Sequence, residues 1–291
     1  MINYAMAPCS WGVYWPEGND ITWAEYLGLI ADAGYRHTEL GPFGFGPTEP
    51  QFLNKSLAIH GISLTVAAHV HTLADATSFD VLAERTEKIC SLLAASGGQE
   101  FILMDESEYY PEALQGVVTE AGWRNVLCGI DMAAQIANSH GIVFSVHPHV
   151  GTCIETEAQI ERLLSATNPN LVNLCLDYGH HAFWDADPLA FFAKHRARIS
   201  SVHLKNVDAQ VRKKVLAGML GVNESFDHGI MTDLAEGAVD IAAAVVDLVR
   251  TDFGGPVTVE QDLNPQDARA PEVIAVANLD YLRKAEAAVA D

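Results

Sequence analysis

The chain has 291 residues, of which 49% are hydrophobic and 19% charged, and a formal net charge of −21. This composition is typical of a folded globular protein and excludes a disordered chain. The balance of 38 acidic against 17 basic residues disfavours nucleic acid and anionic membranes as partners, since binding to either depends on Lys and Arg.

The cysteines and the first residues bear on the compartment. The five cysteines are widely spaced and form no CxxC pair, which predicts free thiols in a reducing, cytoplasmic environment. Residues 1–5 lack the basic start and apolar stretch of a secretory signal, and no apolar run approaches the roughly 18 residues that a membrane helix needs. We therefore expect neither export nor membrane insertion.

Short apolar segments rich in Val, Ile and Leu alternate along the whole chain with longer segments of helical period. Such apolar segments predict strands buried on both faces. The predicted strands cover residues 2–7, 36–40, 62–68, 100–104, 142–147, 171–177, 199–205 and 256–260. Eight strand–helix pairs without a linker predict an α/β fold, a single (β/α)8 TIM barrel domain over residues 1–291.

Capping residues mark the predicted helix boundaries, since Asp and Thr oxygens accept from free N–H groups and Gly enters the left-handed region without strain. These boundaries lie at Asp20, Gly34, Gly61, Gly141, Thr156 with Gln159, and Asp187 with Pro188. A doubly wound sheet is the alternative architecture, but the chain contains no GxGxxG or GxxxxGK[ST] motif. Residues 206–238 are predicted to be a long irregular loop that forms a lid or wall.

Ionisable residues stand at the ends of seven of the eight predicted strands. In a TIM barrel these ends carry the active site, and such groups are costly to bury unless they are paired or bind a metal. The residues are Glu39, His69 with His71, Asp105 with Glu106, His147 with His149, Asp177 with His180 and His181, His203 with Lys205, and Glu260 with Asp262.

Four of these strand ends are consecutive and predict a metal site. The candidate ligands are His147, Asp177, His203 and Glu260. Two imidazoles and two carboxylates suit Mn²⁺ or Co²⁺, with Zn²⁺, Mg²⁺ and Fe²⁺ as alternatives, and the lack of thiolate ligands argues against a structural zinc. Taken singly, each residue could instead be a hydrogen-bonded strand-end side chain or a helix cap. Whether His147 or His149 is the ligand from the fifth strand is left open.

Further residues near the strand ends are predicted to contact a substrate: Trp11, Glu39, His71, Glu155 and His181. Trp11 belongs to an aromatic loop that either packs on a sugar ring or covers the barrel mouth. His69 and His71 are either substrate contacts or hydrogen-bonded rim histidines. Cys153 and Cys175 are predicted to be buried apolar fillers.

Motifs over nearly the whole chain carry a resemblance to a known family. They are Glu39-Leu40-Gly41-Pro42-Phe43-Gly44, His147-Pro148-His149-Val150-Gly151-Thr152, Leu176-Asp177-Tyr178-Gly179-His180, Val202-His203-Leu204-Lys205, and Val259-Glu260 with Asn264-Pro265. The chain resembles the sugar isomerase/epimerase superfamily of xylose isomerase-like TIM barrels and, within it, the inosose dehydratase family. The resemblance implies that His147 replaces a metal-binding Glu of the superfamily and that the other three candidates match its metal positions. Lys205-Asn206 stands where the family usually has Lys-Asp.

The resemblance implies a metal-dependent lyase that dehydrates a keto-cyclitol or keto-sugar. His149 or Glu260 is then the base, and His180 or Lys205 assists the leaving hydroxyl or the enolate. An isomerase or epimerase using the same site is the first alternative, and β-elimination from a 3-keto-glycoside is the second. A sugar- or metal-binding module without catalysis is the non-enzymatic alternative. The expected partner is a small keto-sugar or keto-inositol, and a homo-oligomer remains open.

Overall fold

A computed structural model of the chain describes residues 1–106 and 117–290. Its strands are β1 (Tyr4–Met6), β2 (His37–Thr38), β3 (Ser63–Leu64), β4 (Val66–His71), β5 (Glu100–Asp105), β6 (Val143–Val146), β7 (Asn173–Asp177), β8 (Ile199–Leu204), β9 (Asn206–Val207), β10 (Met231–Thr232) and β11 (Val257–Val259). Nine of them form one parallel sheet in the order β3-β2-β1-β11-β8-β7-β6-β5-β4. All eight predicted strands are therefore confirmed, with boundaries shifted by a few residues.

The two ends of this sheet are halves of one interrupted strand. Only Thr65 separates β3 from β4, and it bridges the two neighbouring strands through its backbone. Its N–H donates to the Thr38 carbonyl over 3.0 Å, and its carbonyl accepts from Gln99 N over 2.7 Å. The sheet thus closes into a barrel of eight strand positions, and the predicted TIM barrel fold is confirmed.

The helices are α1 (Trp23–Asp32), α2 (Pro50–His60), α3 (Phe79–Ser96), α4 (Glu120–Ser139), α5 (Glu157–Ala166), α6 (Tyr178–Phe183), α7 (Pro188–His195), α8 (Ala209–Leu216), α9 (Val222–Asp227), α10 (Ile241–Arg250) and α11 (Pro271–Ala290). The N-cap predicted at Asp20 is wrong: α1 begins after Thr22, which forms a capping box with Glu25. The predicted caps at Thr156 and Asp187 are confirmed, as is the left-handed Gly61.

Apolar faces of the helices cover the barrel. In α10 the buried side chains recur at helical spacing, at Ile241, Ala244, Val245 and Leu248. Inside the barrel, Val66, Ile102 and Cys175 form a separate small core. Both Cys153 and Cys175 are buried, as predicted.

The stretch after β8 is structured, so its prediction as an irregular loop is wrong. It contains an antiparallel ribbon of β9 and β10 and the short helices α8 and α9. In α8 only Val215 is buried, and without an apolar stripe the helix leaves no periodic signal. Among the helices of the described part of the chain, none is long and apolar enough to cross a membrane.

Candidate metal centre and surrounding cavity

Four neighbouring strands bring the predicted metal ligands together. β6, β7, β8 and β11 are consecutive around the barrel and parallel. Asp177 is in register with His203, and His203 with Thr258, two residues before Glu260. One ligand atom of each candidate, His147 included, lies within 4.8 Å of the others. The residues predicted from strand spacing therefore meet at one point.

The geometry of this cluster fits a divalent cation. His147 Nε2 lies 3.6 Å from Asp177 Oδ2, which is 3.9 Å from His203 Nδ1; that nitrogen is 3.1 Å from Glu260 Oε2. Both ring nitrogens of His147 and Oδ2 of Asp177 are buried without a hydrogen bond among the described residues. A buried polar atom without a partner costs about 1–3 kcal/mol, and a cation at the centre of the cluster would remove that cost.

Protein contacts occupy the other atoms of three ligands. Glu39 Oε1 lies 2.8 Å from His203 Nε2, an ion-pair contact outside hydrogen-bond geometry that places a carboxylate behind a candidate metal-binding imidazole. Asp177 Oδ1 accepts from the backbone N–H of His180 over 2.8 Å, and the Cys9 thiol donates to Glu260 Oε1 over 3.2 Å. These contacts leave one atom of each ligand directed at the common point.

Lys205 is buried beside the cluster among carboxylates. Its Nζ lies 2.8 Å from Glu260 Oε2, 3.2 Å from Asp262 Oδ2 and 3.7 Å from Asp177 Oδ2. Burial alone would lower the pKa of Lys205, but Asp262, Glu260 and Asp177 outweigh that effect and raise it well above its usual range. The ammonium is therefore charged and held at the edge of the cluster.

Helix α6 packs tightly against this lysine. A Cβ on Gly179 would lie 2.8 Å from Lys205 Cγ, so only glycine permits the approach. His180 lies behind Lys205, with Nε2 3.1 Å from Nζ, and its ring packs against that of His149, with 3.9 Å between centroids and a tilt of 41°. Burial, together with His149, Lys205 and His147, lowers the pKa of His180 well below its usual range, so the ring is neutral and accepts from the ammonium.

A cavity of about 650 Å³ opens at the barrel mouth next to the cluster. Four of the predicted catalytic and substrate residues line it: Glu39, His149, Lys205 and Glu260. The rest of the described wall combines apolar and aromatic side chains, such as Tyr14, Trp15 and Phe226, with a few polar ones, among them His69 and Arg85, and such a lining is typical of a small-molecule site.

Two predicted substrate residues pack behind the loop that carries His149. Glu155 Oε2 accepts from Gly151 N and Trp184 Nε1, each at 2.7 Å. Burial raises the pKa of Glu155 to about 7. His181 Nε2 lies 3.1 Å from Glu157 Oε1. Neither Glu155 nor His181 is part of the described cavity wall.

The other two predicted substrate residues, His71 and Trp11, also lie outside the described cavity wall. His71 Nε2 is hydrogen-bonded to Ser78 Oγ over 2.8 Å, whereas the neighbouring His69 faces the cavity. Trp11 is buried edge-on against Tyr26, with 5.4 Å between ring centroids. Trp11 thus belongs to the core under the aromatic loop.

Sequence reasoning did not assign a role to two residues at the site. Asp262 ion-pairs with Lys205, and its position two residues after Glu260 at a strand end was the signal for it. Cys9 binds Glu260 from the loop after β1, a contact between residues 251 positions apart that no local pattern reveals.

Comparison with known proteins agrees with this architecture. The chain is 28% identical over 285 residues to the inosose dehydratase of Bacillus velezensis, an alignment that covers 95% of this chain and 94% of that protein. Among solved structures, it is similar to the probable 3-DHS dehydratase AsbF of Bacillus anthracis, with a TM-score of 0.73, 16% identity and coverage of 97% and 99%. It is also similar to a xylose isomerase-like TIM barrel protein of Mycobacterium smegmatis in complex with magnesium, with a TM-score of 0.72, 16% identity and coverage of 99% and 98%. The model of the xylose isomerase-like TIM barrel family matches residues 27–285, and the chain belongs to that family.

Proposed function

We propose that the protein is a divalent-metal-dependent dehydratase that eliminates water from a keto-cyclitol or keto-sugar. The observation that carries the proposal is a buried group of four candidate metal ligands beside a cavity whose wall carries a neutral imidazole, His149, and an ammonium, Lys205. The relatives named inosose dehydratase support the same reaction class.

His147, Asp177, His203 and Glu260 would hold the metal, and we propose Mn²⁺ or Co²⁺ because nitrogen and oxygen donors are mixed. When bound, the metal supplies a Lewis acid that stabilises negative charge on a ketone oxygen and so acidifies the neighbouring C–H bond. The remaining requirements are a base for that proton and an acid for the leaving hydroxyl.

His149 is the proposed base. Its Nδ1 lies 2.8 Å from the Val150 carbonyl, which can only accept, so Nδ1 carries the hydrogen and Nε2 is the basic nitrogen. Burial, with His147 and Lys205, lowers the pKa of His149 to about 4, so the ring is unprotonated near neutral pH. The alternative base, Glu260, is already engaged by Lys205 and other donors.

Lys205 is the proposed acid for the hydroxyl. It is the charged donor on the described cavity wall nearest the cluster, and it carries a proton that the departing oxygen needs. His180 and Asp262 hold the ammonium on either side, at 3.1 and 3.2 Å. His180 thus acts by positioning Lys205.

The test is to incubate the Mn²⁺- or Co²⁺-loaded protein with 2-keto-myo-inositol and a panel of 3-keto-glycosides and to follow products by mass. Loss of one water supports the proposal, and His149→Gln should reduce the rate by about 10²–10⁴-fold. His228→Gln, which changes an exposed histidine, is the matched control. Loss of the group attached through the glycosidic bond, instead of water, would indicate β-elimination from the 3-keto-glycoside.

The same site could stop at deprotonation and return the proton, which would make the protein an epimerase or isomerase. Incubation in D₂O separates the two reactions. A dehydratase forms product faster than it exchanges the α-hydrogen of the substrate. Exchange without elimination in every ketone tried would replace the dehydratase proposal by the epimerase one.

A further inference from the structure

The cavity wall opposite the metal cluster carries polar groups to which neither the metal nor the proposed reaction assigns a role. In the closed barrel, the interrupted strand β3/β4 stands opposite β8, and β2 stands opposite β7. His69 lies on β4, Phe43 follows β2, and Arg85 lies on α3. All three line the cavity.

Arg85 forms no ion pair with the described residues. Its guanidinium lies over the Phe43 ring, with Cζ 4.9 Å from the centroid, and none of the described carboxylates is within ion-pair distance. This cation–π contact leaves the N–H groups of Arg85 without a hydrogen bond to the described part of the chain. The side chain is half-buried, so this arrangement is not that of a fully solvated surface arginine.

His69 adds a second group without a partner. Its Nε2 is buried and has no hydrogen bond within the described chain. Burial, with His71 and Arg85, lowers the pKa of His69 to about 3, so the ring is neutral. Arg85 thus lies close enough to act on His69 electrostatically, and both face the same end of the cavity.

The cations of the described wall differ in what surrounds them. Lys205 is ion-paired with Glu260, Asp262 and Asp177, whereas Arg85 makes no ion pair with a described carboxylate, although the exposed Glu84 acts on it electrostatically. Asp105 and Glu106 also line the cavity, and both oxygens of Asp105 are bound by the backbone N–H groups of Leu73 and Cys153. In a chain of net charge −21, an anion would be repelled unless a local cation received it. A planar guanidinium fork matches a carboxylate, and a single arginine suits one negative charge better than the two of a phosphate.

We propose that Arg85 and His69 form a carboxylate subsite, so that the substrate is a ring ketone that carries a carboxylate on the side away from the metal. The inference rests on the proposed function only in placing the reacting ketone at the metal cluster. It narrows the substrate class from keto-polyols in general to cyclic keto-acids.

The test compares two sugars that differ only in the group concerned. The Mn²⁺-loaded full-length protein is titrated calorimetrically with D-glucuronate and with D-glucose. We expect the wild type to bind glucuronate at least about tenfold more tightly, as is typical of a charged hydrogen bond, and Arg85→Met to bring the two within about threefold. Arg250→Met removes an exposed charge from α10 and should leave the preference intact.

Two results would overturn the subsite. The first is equal affinity of the wild type for both sugars, and the second is a preference that survives Arg85→Met, which would place the carboxylate on the metal. Water loss from a methyl 3-keto-glucoside and from the matching 3-keto-glucuronide tests the proposed function separately. Dehydration of the neutral ketone at least as fast as the acid refutes the subsite alone, whereas Arg85-dependent selection of glucuronate without dehydration of either ketone refutes the proposed function alone.

Discussion

Asp177 caps a helix with one carboxylate oxygen and is a candidate metal ligand through the other, and one substitution can separate these two roles. Its Oδ1 caps α6 at the His180 N–H, and its Oδ2 faces the metal cluster. Asp177→Asn retains an oxygen for the cap but removes the anionic ligand. We expect metal content after dialysis, measured by mass spectrometry, to fall to background together with activity, while circular dichroism stays unchanged.

Asp187→Asn is the control, because Asp187 caps α7 through Oδ1 and is not part of the cluster. It should keep full metal and activity. Complete metal occupancy in Asp177→Asn would contradict the ligand assignment.

Glu39 is expected to act on the metal through His203. Removing a carboxylate that orients a metal-binding imidazole typically weakens metal binding by about 10–100-fold. Glu39→Gln should therefore raise the metal dissociation constant in that range, measured by competition with a fluorescent chelator. Glu49→Gln, at an exposed helix N-cap, should have no effect. An unchanged dissociation constant in Glu39→Gln would show that the 2.8 Å contact does not support the site.

The neutral imidazole of His147 affects whether the site favours dehydration or isomerisation. A neutral imidazole leaves the bound cation more electropositive than a carboxylate would, and this favours charge on a ketone oxygen and loss of a β-hydroxyl. We expect His147→Glu to retain metal but to dehydrate at least about tenfold more slowly, followed by product mass. A variant as active as the wild type would favour the isomerase or epimerase alternative.

At the scale of elements, the segment after β11 is fastened to α11 and to the ribbon after β8. Gln261, next to ligand Glu260, donates to Asp233 over 3.2 Å and accepts from Asn278 over 2.7 Å. Arg269 binds both oxygens of Asp233, at 2.8 and 2.9 Å. The structured segment after β8 therefore supports the strand end that carries the candidate ligand Glu260 and Asp262.

Asp233→Asn should weaken this brace. We expect a loss of about 1–2 kcal/mol in the free energy of unfolding in urea, with a measurably weaker metal affinity, because the arginine is partly exposed and its ion pair is partly screened. Asp267→Asn is the matched control, since Asp267 also binds Arg269 but does not contact Gln261. Equal effects of both substitutions on metal affinity would mean that the brace does not reach Glu260.

The elements that sequence predicts best are those with a regular period. Buried strands and the ligands at their ends follow from apolar runs and spacing, which is why His147, Asp177, His203 and Glu260 were predictable. The contact between Asp233 and Gln261 was not predictable, because these residues meet only after folding and belong to no repeat. Trp11 and His71 lie near the mouth in sequence terms, but which way a rim side chain turns depends on neighbours such as Tyr26 and Ser78.

For the whole molecule, Glu155 couples stability to pH. Its folded pKa of about 7 lies above the ordinary 4.5, because the carboxylate is buried. Because the folded-state pKa is raised, the stabilising contribution of the protonated Glu155 side chain is fully present below about pH 4.5. It is lost as the pH rises through about 7. The group should thus lower the free energy of unfolding over that window, by at most about 3.4 kcal/mol at 1.36 kcal/mol per pKa unit.

Glu155→Gln keeps an oxygen for Gly151 and Trp184 but cannot ionise. Urea unfolding at a series of pH values should therefore give a wild-type curve that falls relative to the variant between about pH 4.5 and above pH 7. Glu236→Gln, at an exposed position, should run parallel to the wild type throughout. If the curve of Glu155→Gln also ran parallel to the wild type, the carboxyl of Glu155 would have an ordinary pKa. Its burial would then not make the free energy of unfolding depend on pH.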